Sequence, residues 1–515
     1  MTRPLALRLL DRWGGLASLI LGAALSLAFA PFGLFPLAVL CLTGLFLMWD
    51  GAPRRRAAWL GFCFGSGTFL AGTYWLYTSI HVFGRAPLWV AILLMLSLVA
   101  IMGAYHALVG YVAARFFRRT GVIVWLLAIP ALWVLVEWLR GWVLSGFPWL
   151  ALGYSQIDSW LAGYAPLGGV YFMSLLVAIS AGALFLLIRG SMRERAIAAL
   201  ALVAIWSGGA ALEGREWTQR ADGRLTVALV QGAISQDQKW QEKNYDYTLK
   251  LYRDLTQQAL GVDLIIWPEA ALPGLAHELE DYLKTLYLQA RASGSDVVMG
   301  LLRHDFERKQ YRNGLLAMSD DLEWYYKRRL VPFGEFFPVP KFVRSWMRLM
   351  SLPYVDFAPG DRNQAALNAA GVKLGATICY EDAYGSEMRA VLHDATVLVN
   401  VTNDAWFGDS TAPHQHLEIA RLRALEGGRY LLRAANDGIT AVIGPHGEVI
   451  DSIPQFKPGV LQAVIYPRTG LTPYARVGNV PAVGFICVLI LLGVAAGARE
   501  RAPEPKATPQ AKPAP

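Results

Sequence analysis

The chain has 515 residues, 55% of them hydrophobic and only 17% charged, a composition that excludes a single soluble globule. Residues 213–476 hold 29 Lys+Arg against 32 Asp+Glu, a net of −3, while the other 251 residues hold 18 basic and 7 acidic side chains, a net of +11. The basic excess therefore lies outside 213–476, and no cluster of Lys and Arg interleaved with aromatics occurs within it on the scale needed to track a phosphate backbone, so nucleic acid is not an expected partner.

A bilayer core needs about 20 mostly apolar residues per helix. Seven stretches before residue 213 approach this, at 13–30, 34–49, 57–79, 87–114, 121–139, 161–188 and 197–212, and an eighth lies at 480–498. The stretch at 34–49 is short, and a removable signal would account for the first stretch only, since no small-residue cleavage site is followed by a soluble chain. Basic residues near span ends stay cytoplasmic. Twelve arginines (Arg3, Arg8, Arg12, Arg54, Arg55, Arg56, Arg115, Arg118, Arg119, Arg189, Arg193, Arg195) fall in every second loop, against Arg85 and Arg140 in the others. This sets the N-terminus inside, residues 213–476 outside, and the Pro-, Ala- and Lys-rich tail 499–515 inside and unstructured. The expected division is 1–212, a seven-span region; 213–476, an outer catalytic domain; 477–498, the eighth span; and 499–515, the tail.

Within 213–476, short β-branched runs alternate with helical stretches, which predicts an α/β domain. The expected strands are Leu225–Val230, Asp263–Trp267, Asp296–Leu301, Lys373–Cys379, Thr396–Val401 and Thr440–Ile443. Several end in residues able to do chemistry: Gln231-Gly232, Pro268-Glu269, Tyr380-Glu381-Asp382 and Asn403-Asp404. Ligands in α/β folds sit at the carboxyl ends of strands, so these ends are expected to converge.

Of four cysteines, Cys41, Cys63 and Cys487 fall in expected spans, where a thiol behaves as a small hydrophobe. Cys379 stands alone in its domain at the end of an apolar strand, with no disulfide partner there. A thiol needs a base or a nearby cation to become a nucleophile at neutral pH. Glu269, where Leu-Ile-Ile-Trp-Pro stops, offers the base, and Lys327, in Trp-Tyr-Tyr-Lys-Arg-Arg-Leu-Val-Pro-Phe-Gly-Glu, offers the cation.

Pro268-Glu269, then Tyr325-x-Lys327-x-x-Leu330-Val331-Pro332-Phe333-Gly334-Glu335, then Cys379-Tyr380-Glu381 resemble the three motifs of the nitrilase superfamily, whose catalytic residues run Glu, Lys, Cys. Within it the chain is similar to the apolipoprotein N-acyltransferases over about residues 13–498, including Gly146-Phe-Pro-Trp-Leu150 and Gln231-Gly232 leading to Lys239-Trp240. The resemblance implies a bacterial inner-membrane protein with eight spans and a periplasmic αββα sandwich. It also implies transfer from a membrane phospholipid, through a thioester at Cys379, to the N-terminal amine of a diacylated apolipoprotein. Glu269 would be the general base and Lys327 would stabilise the oxyanion, helped by a backbone N–H near Tyr380. Glu335 and Glu381 would orient Lys327 and the thiol, while Trp149, Trp240 and Trp346 are candidate substrate contacts. No cofactor is implied, and a monomer is expected. The alternative is a membrane-anchored amidase with water as acceptor, or, outside enzymes, a transporter with an outer binding domain.

Three other features compete. His414-x-His416, with His393 and Asp404, invites a zinc or Cys–His reading, but His at i and i+2 do not share a helical face and no HExxH accompanies them, so no metal is expected. Lys341, Arg344 and Arg348 lie opposite Phe342, Trp346, Leu349 and Met350 on a helical projection, either a surface helix or a lipid-facing lid. Glu137 and Arg140 form an i, i+3 pair near a span end, expected to be an internal ion pair.

Overall fold

The structure, a computed structural model, describes residues 5–117, 121–336 and 356–499. Up to residue 212 it is helical, with principal helices Leu5–Leu25, Pro36–Trp49, Arg54–Gly72, Leu88–Phe116, Ile129–Arg140, Ala165–Arg189 and Met192–Leu212, and Val480–Arg499 follows the α/β domain. Among the described residues, Leu88–Phe116, Ile123–Arg140, Trp160–Arg189 and Met192–Leu212 are long and apolar enough to cross a membrane. Trp13–Ala28, Pro36–Trp49 and Val480–Ala495 are apolar but shorter. Arg54–Gly72 opens on three arginines, and length and composition thus single out four of the eight expected spans. The 341–350 segment, read as a surface helix or a lid, and the tail after Arg499 lie outside the described residues.

The expected spans are less regular than hydropathy suggests, and each irregularity has a cause. The stretch 57–79 is not one helix. It stops at Gly72, whose carbonyl accepts from Gln415 Nε2 at 3.1 Å and Trp75 Nε1 at 3.2 Å instead of continuing the ladder. Pro130 cannot donate to the turn before it, and the preceding Ile123–Ala128 is wound as a π-helix. At Gly169 the backbone turns to φ +68°, where a Cβ would lie 2.4 Å from the Tyr474 ring; the N–H of Val170, freed by the kink, is met by Glu426 Oε1 at 2.8 Å. Gln415, Tyr474 and Glu426 all belong to the α/β domain, so that domain is docked on the helical bundle through the bundle's own backbone breaks.

The strands of that domain are β1 (Gln219–Arg220), β2 (Leu225–Gln231), β3 (Leu264–Ile266), β4 (Asp296–Asp305), β5 (Gln310–Met318), β6 (Leu322–Tyr326), β7 (Leu367–Ala369), β8 (Val372–Ile378), β9 (Val397–Thr402), β10 (Leu431–Ala435), β11 (Thr440–Ile443), β12 (Val449–Ile453), β13 (Gly459–Ile465) and β14 (Arg468–Thr469). They make two six-stranded sheets, ordered β13-β2-β3-β4-β5-β6 and β12-β11-β10-β9-β8-β7, and a small β1-β14 pair. In each sheet the three parallel strands, β2-β3-β4 and β8-β9-β10, are flanked by antiparallel ones. Parallel strands are buried on both faces, which explains their unbroken apolar runs.

Alternation along the strands builds the layers. Val227, Leu229 and Ile266 face Ala376, Ile378, Val399 and Val401 across the sheet–sheet core. Their neighbours Ala228, Ile265 and Met299 turn outward onto Tyr252, Leu255 and Leu283 of helices Tyr245–Ala259 and Glu280–Ala292. On the other sheet, Leu398 and Leu431 pack against Val391, Leu392, Ala420 and Ala424 of helices Gly385–Leu392 and Ala412–Gly427. The domain is therefore the expected four-layer αββα sandwich.

Candidate active site

Glu269, Lys327 and Cys379 come together although they are 110 residues apart in sequence, because each follows a strand of the packed sheets. After β3, Pro268 ends the ladder and delivers Glu269. The backbone there passes so close to β4 that a Cβ at Gly300 would lie 2.5 Å from Glu269 Cα. Lys327 follows β6 directly, its N–H bonded to Asn313 O at 2.9 Å. Cys379 follows β8 with φ +53°, a left-handed conformation that a non-glycine residue holds only when its surroundings impose it. Those surroundings are Asn400 Nδ2 and His416 Nε2, 3.2 and 3.3 Å from the Cys379 carbonyl oxygen.

The Lys327 ammonium lies 3.0 Å from Glu269 Oε1 and 2.8 Å from Glu335 Oε1, with side-chain exposures of 2%, 7% and 14%. Asn313 Nδ2 donates to both carboxylates, at 2.7 and 3.1 Å, and the Asn403 N–H donates to Glu269 Oε2 at 2.9 Å. Burial opposes the charge on Lys327, but Glu269 and Glu335 outweigh it and hold the ammonium well above the usual lysine range. Burial pushes the Cys379 thiol up, the Glu269 carboxylate adds to the rise, and Lys327 acts against it. At rest the site thus holds a neutral thiol beside the Lys327 ammonium and its two carboxyl partners. The thiolate forms only when its proton has somewhere to go.

Of the supporting residues, Glu335 contacts Lys327 as expected. Glu381 works through backbone: it accepts from the Ile378 N–H at 2.8 Å, the Tyr325 hydroxyl at 3.0 Å, and the Arg328 and Arg329 N–H groups at 2.5 and 3.2 Å. It clamps the strand end that carries Cys379 to the segment that carries Lys327. Tyr380 donates to Gly146 O at 3.2 Å and its ring lies 6.3 Å from that of Trp149. Trp149 is buried and its indole N–H is bonded to Gln415 Oε1 at 2.7 Å, so it forms a floor beneath Tyr380. Trp240 is half exposed, and Trp346 lies outside the described residues.

His416 is neither a dyad base nor an open ligand. Its Nε2 lies 3.0 Å from Asp382 and its Nδ1 2.9 Å from Asp404, while Arg433 donates to Asp404 at 2.7 Å. Burial and Arg433 oppose its charge, but the two aspartates outweigh them and hold the imidazolium up at about 9. The ring faces the Cys379 carbonyl, not the sulfur, and buttresses the turn. Glu137 and Arg140 are 3.9 Å apart, an internal pair as expected; Arg140 also donates to Phe147 O and Trp149 O, and Glu137 accepts from the Leu152 N–H. Sequence reasoning missed Asn313, which sits inside a strand where nothing distinguishes it from a surface amide.

A Glu, a Lys and a Cys delivered by strand ends of an αββα sandwich define the domain as one of carbon–nitrogen hydrolase type, and the sequence profile described as carbon-nitrogen hydrolase matches residues 226–474. The profile described as apolipoprotein N-acyltransferase N-terminal domain matches residues 21–183. Apolipoprotein N-acyltransferase of Azotobacter vinelandii is 42% identical over 93% of this chain and 94% of that protein. The protein of the same name from Chromobacterium violaceum is 43% identical over 94% of each. Among solved structures, an amidase from Nesterenkonia sp. is similar at 20% identity and TM-score 0.37, across 51% of this chain and 97% of that one. The chain belongs to the apolipoprotein N-acyltransferase family, and it is an acyltransferase.

Proposed function

We propose that the chain moves an acyl group from a membrane phospholipid, through a thioester at Cys379, to the N-terminal S-diacylglyceryl-cysteine amine of an apolipoprotein, completing lipoprotein maturation. The observation that carries the chemistry is Lys327 held between Glu269 and Glu335 beside a buried neutral thiol. Glu269 takes the thiol proton as sulfur attacks the ester carbonyl. With Glu269 neutralised, Lys327 keeps one carboxylate partner, and its surplus charge falls on the oxyanion, together with the Tyr380 N–H. The C–O bond then breaks, and the leaving alkoxide takes the proton from Glu269 as lysophospholipid departs. In the second half, the acceptor amine attacks the thioester, gives its proton to Glu269, and expels the thiolate, which is reprotonated. The test uses purified protein, acyl-labelled phospholipid and a diacylated peptide. A free N-terminal amine should collect the label as an amide, and an N-acetylated peptide should collect none. Equal labelling of both would end this reading.

We further propose that the chain is a monomer of the bacterial inner membrane with eight spans, residues 1–212 and 477–498 forming the bundle, 213–476 periplasmic, and both termini cytoplasmic. The twelve-to-two arginine distribution supports this orientation. In a variant lacking other accessible thiols, a membrane-impermeant maleimide applied to spheroplasts should label a cysteine placed at the exposed Lys309 and spare one at Arg55. The opposite pattern overturns the orientation.

A further inference from the structure

Lys239 is fully buried, and among the described residues its Nζ has no hydrogen-bond partner. An isolated buried ammonium is costly, and such groups persist where function needs them. Its surroundings are ordered around Glu269. Gln236, one turn earlier, accepts from Asn403 Nδ2 at 3.0 Å, and the N–H of the same Asn403 bonds Glu269 Oε2. The charge that acts on Lys239 is that of Glu269. Burial lowers its pKa to about 8, with Glu269 acting in the opposite sense, so the group is mainly ammonium at neutral pH. Among the described residues, the cations named about the site are committed: Lys327 to Glu269 and Glu335, Arg328 to Glu381 and Glu387, Arg329 to Glu387, and Arg433 to Asp404.

We propose that Lys239 is a further catalytic residue, whose ammonium hydrogen-bonds the leaving oxygen of the acyl donor. The proposal rests on the roles given to Cys379 and Glu269 above. The group that returns a proton to the leaving oxygen is Glu269, so that oxygen must come to rest against its carboxyl, where Lys239 has donors to spare. As sulfur bonds to the acyl carbon and the C–O bond breaks, the electron pair collects on that oxygen. Lys239 stabilises it until the proton arrives from Glu269, and itself ends unchanged. A cation there offers nothing to the acceptor amine, whose lone pair must stay free for attack. Lys239 therefore serves the first half-reaction alone.

The test is single-turnover acylation of Cys379 in the full-length protein, followed by intact mass, with phospholipid and with octanoate esters of benzyl alcohol and p-nitrophenol. In Lys239→Met, phospholipid and the benzyl ester should acylate about 100-fold more slowly, while the p-nitrophenyl ester, whose phenolate leaves unaided, should change by less than about twofold. Discharge of the acyl-enzyme by amine should be unaltered, and Lys239→Arg should recover part of the loss. The Met variant should melt no lower than wild type, since it removes an uncompensated buried charge. Equal losses with every ester, or none, overturn the proposal. A loss confined to phospholipid also overturns it, by assigning Lys239 to the phosphate. Failure of the wild-type protein to acylate Cys379 with any donor would instead remove the underlying reading.

Discussion

Replacing Cys379 by Ala should leave acyl transfer below about 10⁻⁴ of wild type, because the nucleophile proposed for the transfer has no substitute and residues proposed to act as a unit fail together. Cys379→Ser should fail as well: a hydroxyl is far harder to ionise than a thiol, and even the thiol is held neutral by its burial. Glu269→Gln keeps the hydrogen bond from the Asn403 N–H but removes the proton acceptor, and should cost about 10²–10⁴-fold. Lys327→Ala differs in kind. It removes the oxyanion partner and also strands Glu269 and Glu335 in a largely buried site, a loss of about 3–5 kcal/mol in stability for a broken buried pair. Lys327→Ala should therefore show a lowered thermal midpoint beside its lost activity. The check is transfer to a diacylated peptide, with melting followed in parallel. Near-wild-type transfer by any folded variant would strike that residue from the mechanism.

The difference between these variants tracks what was legible in the sequence. Glu269 could be found because it follows an apolar strand with a charge that has no packing reason to be there, and Cys379 because it stands alone in its domain at a strand end, directly before Tyr-Glu-Asp. Lys327 could be found because its motif is long. The parallel strands β2, β8 and β9 were legible for the same reason, since burial on both faces leaves an apolar run. In contrast, β5 begins Gln310-Tyr-Arg-Asn313 and β10 carries Arg433 in its centre, so neither reads as a strand. Asn313 and Arg433 are buried only because the partners Glu269, Glu335, Asp404 and Asn400 arrive from elsewhere in the chain. Register-dependent partners of this kind are set by tertiary packing and leave no local signal. The break at Gly72 is similar: hydropathy runs through it unmarked, and it is Gln415, more than 300 residues later, that takes the freed carbonyl. Lys239 was visible as part of a motif, but its lack of a partner is a property of three dimensions only.

Given phospholipid and no acceptor, the wild-type protein should accumulate about one acyl group per chain, as expected for a ping-pong enzyme with one nucleophile. The adduct should be removable by neutral hydroxylamine and absent from Cys379→Ala. The expectation rests on water. A thioester is open to hydrolysis as well as to amines, and a transferase gains only if its pocket stays dry until the amine arrives. Cys379 is 9% exposed and Glu269 6%, and the Tyr380 ring behind the thiol is bonded to Gly146 on a bundle loop that Glu137 and Arg140 fix from below. Hydrolysis should therefore be slow against discharge by a diacylated peptide, and initial rates with both substrates varied should give parallel double-reciprocal lines. Loosening the floor should shift this balance: Tyr380→Ala should shorten the adduct's lifetime and release free fatty acid. Steady fatty-acid release by the wild type at the rate of phospholipid consumption, with no adduct and no response to peptide, would show water to be the natural acceptor and the chain a hydrolase.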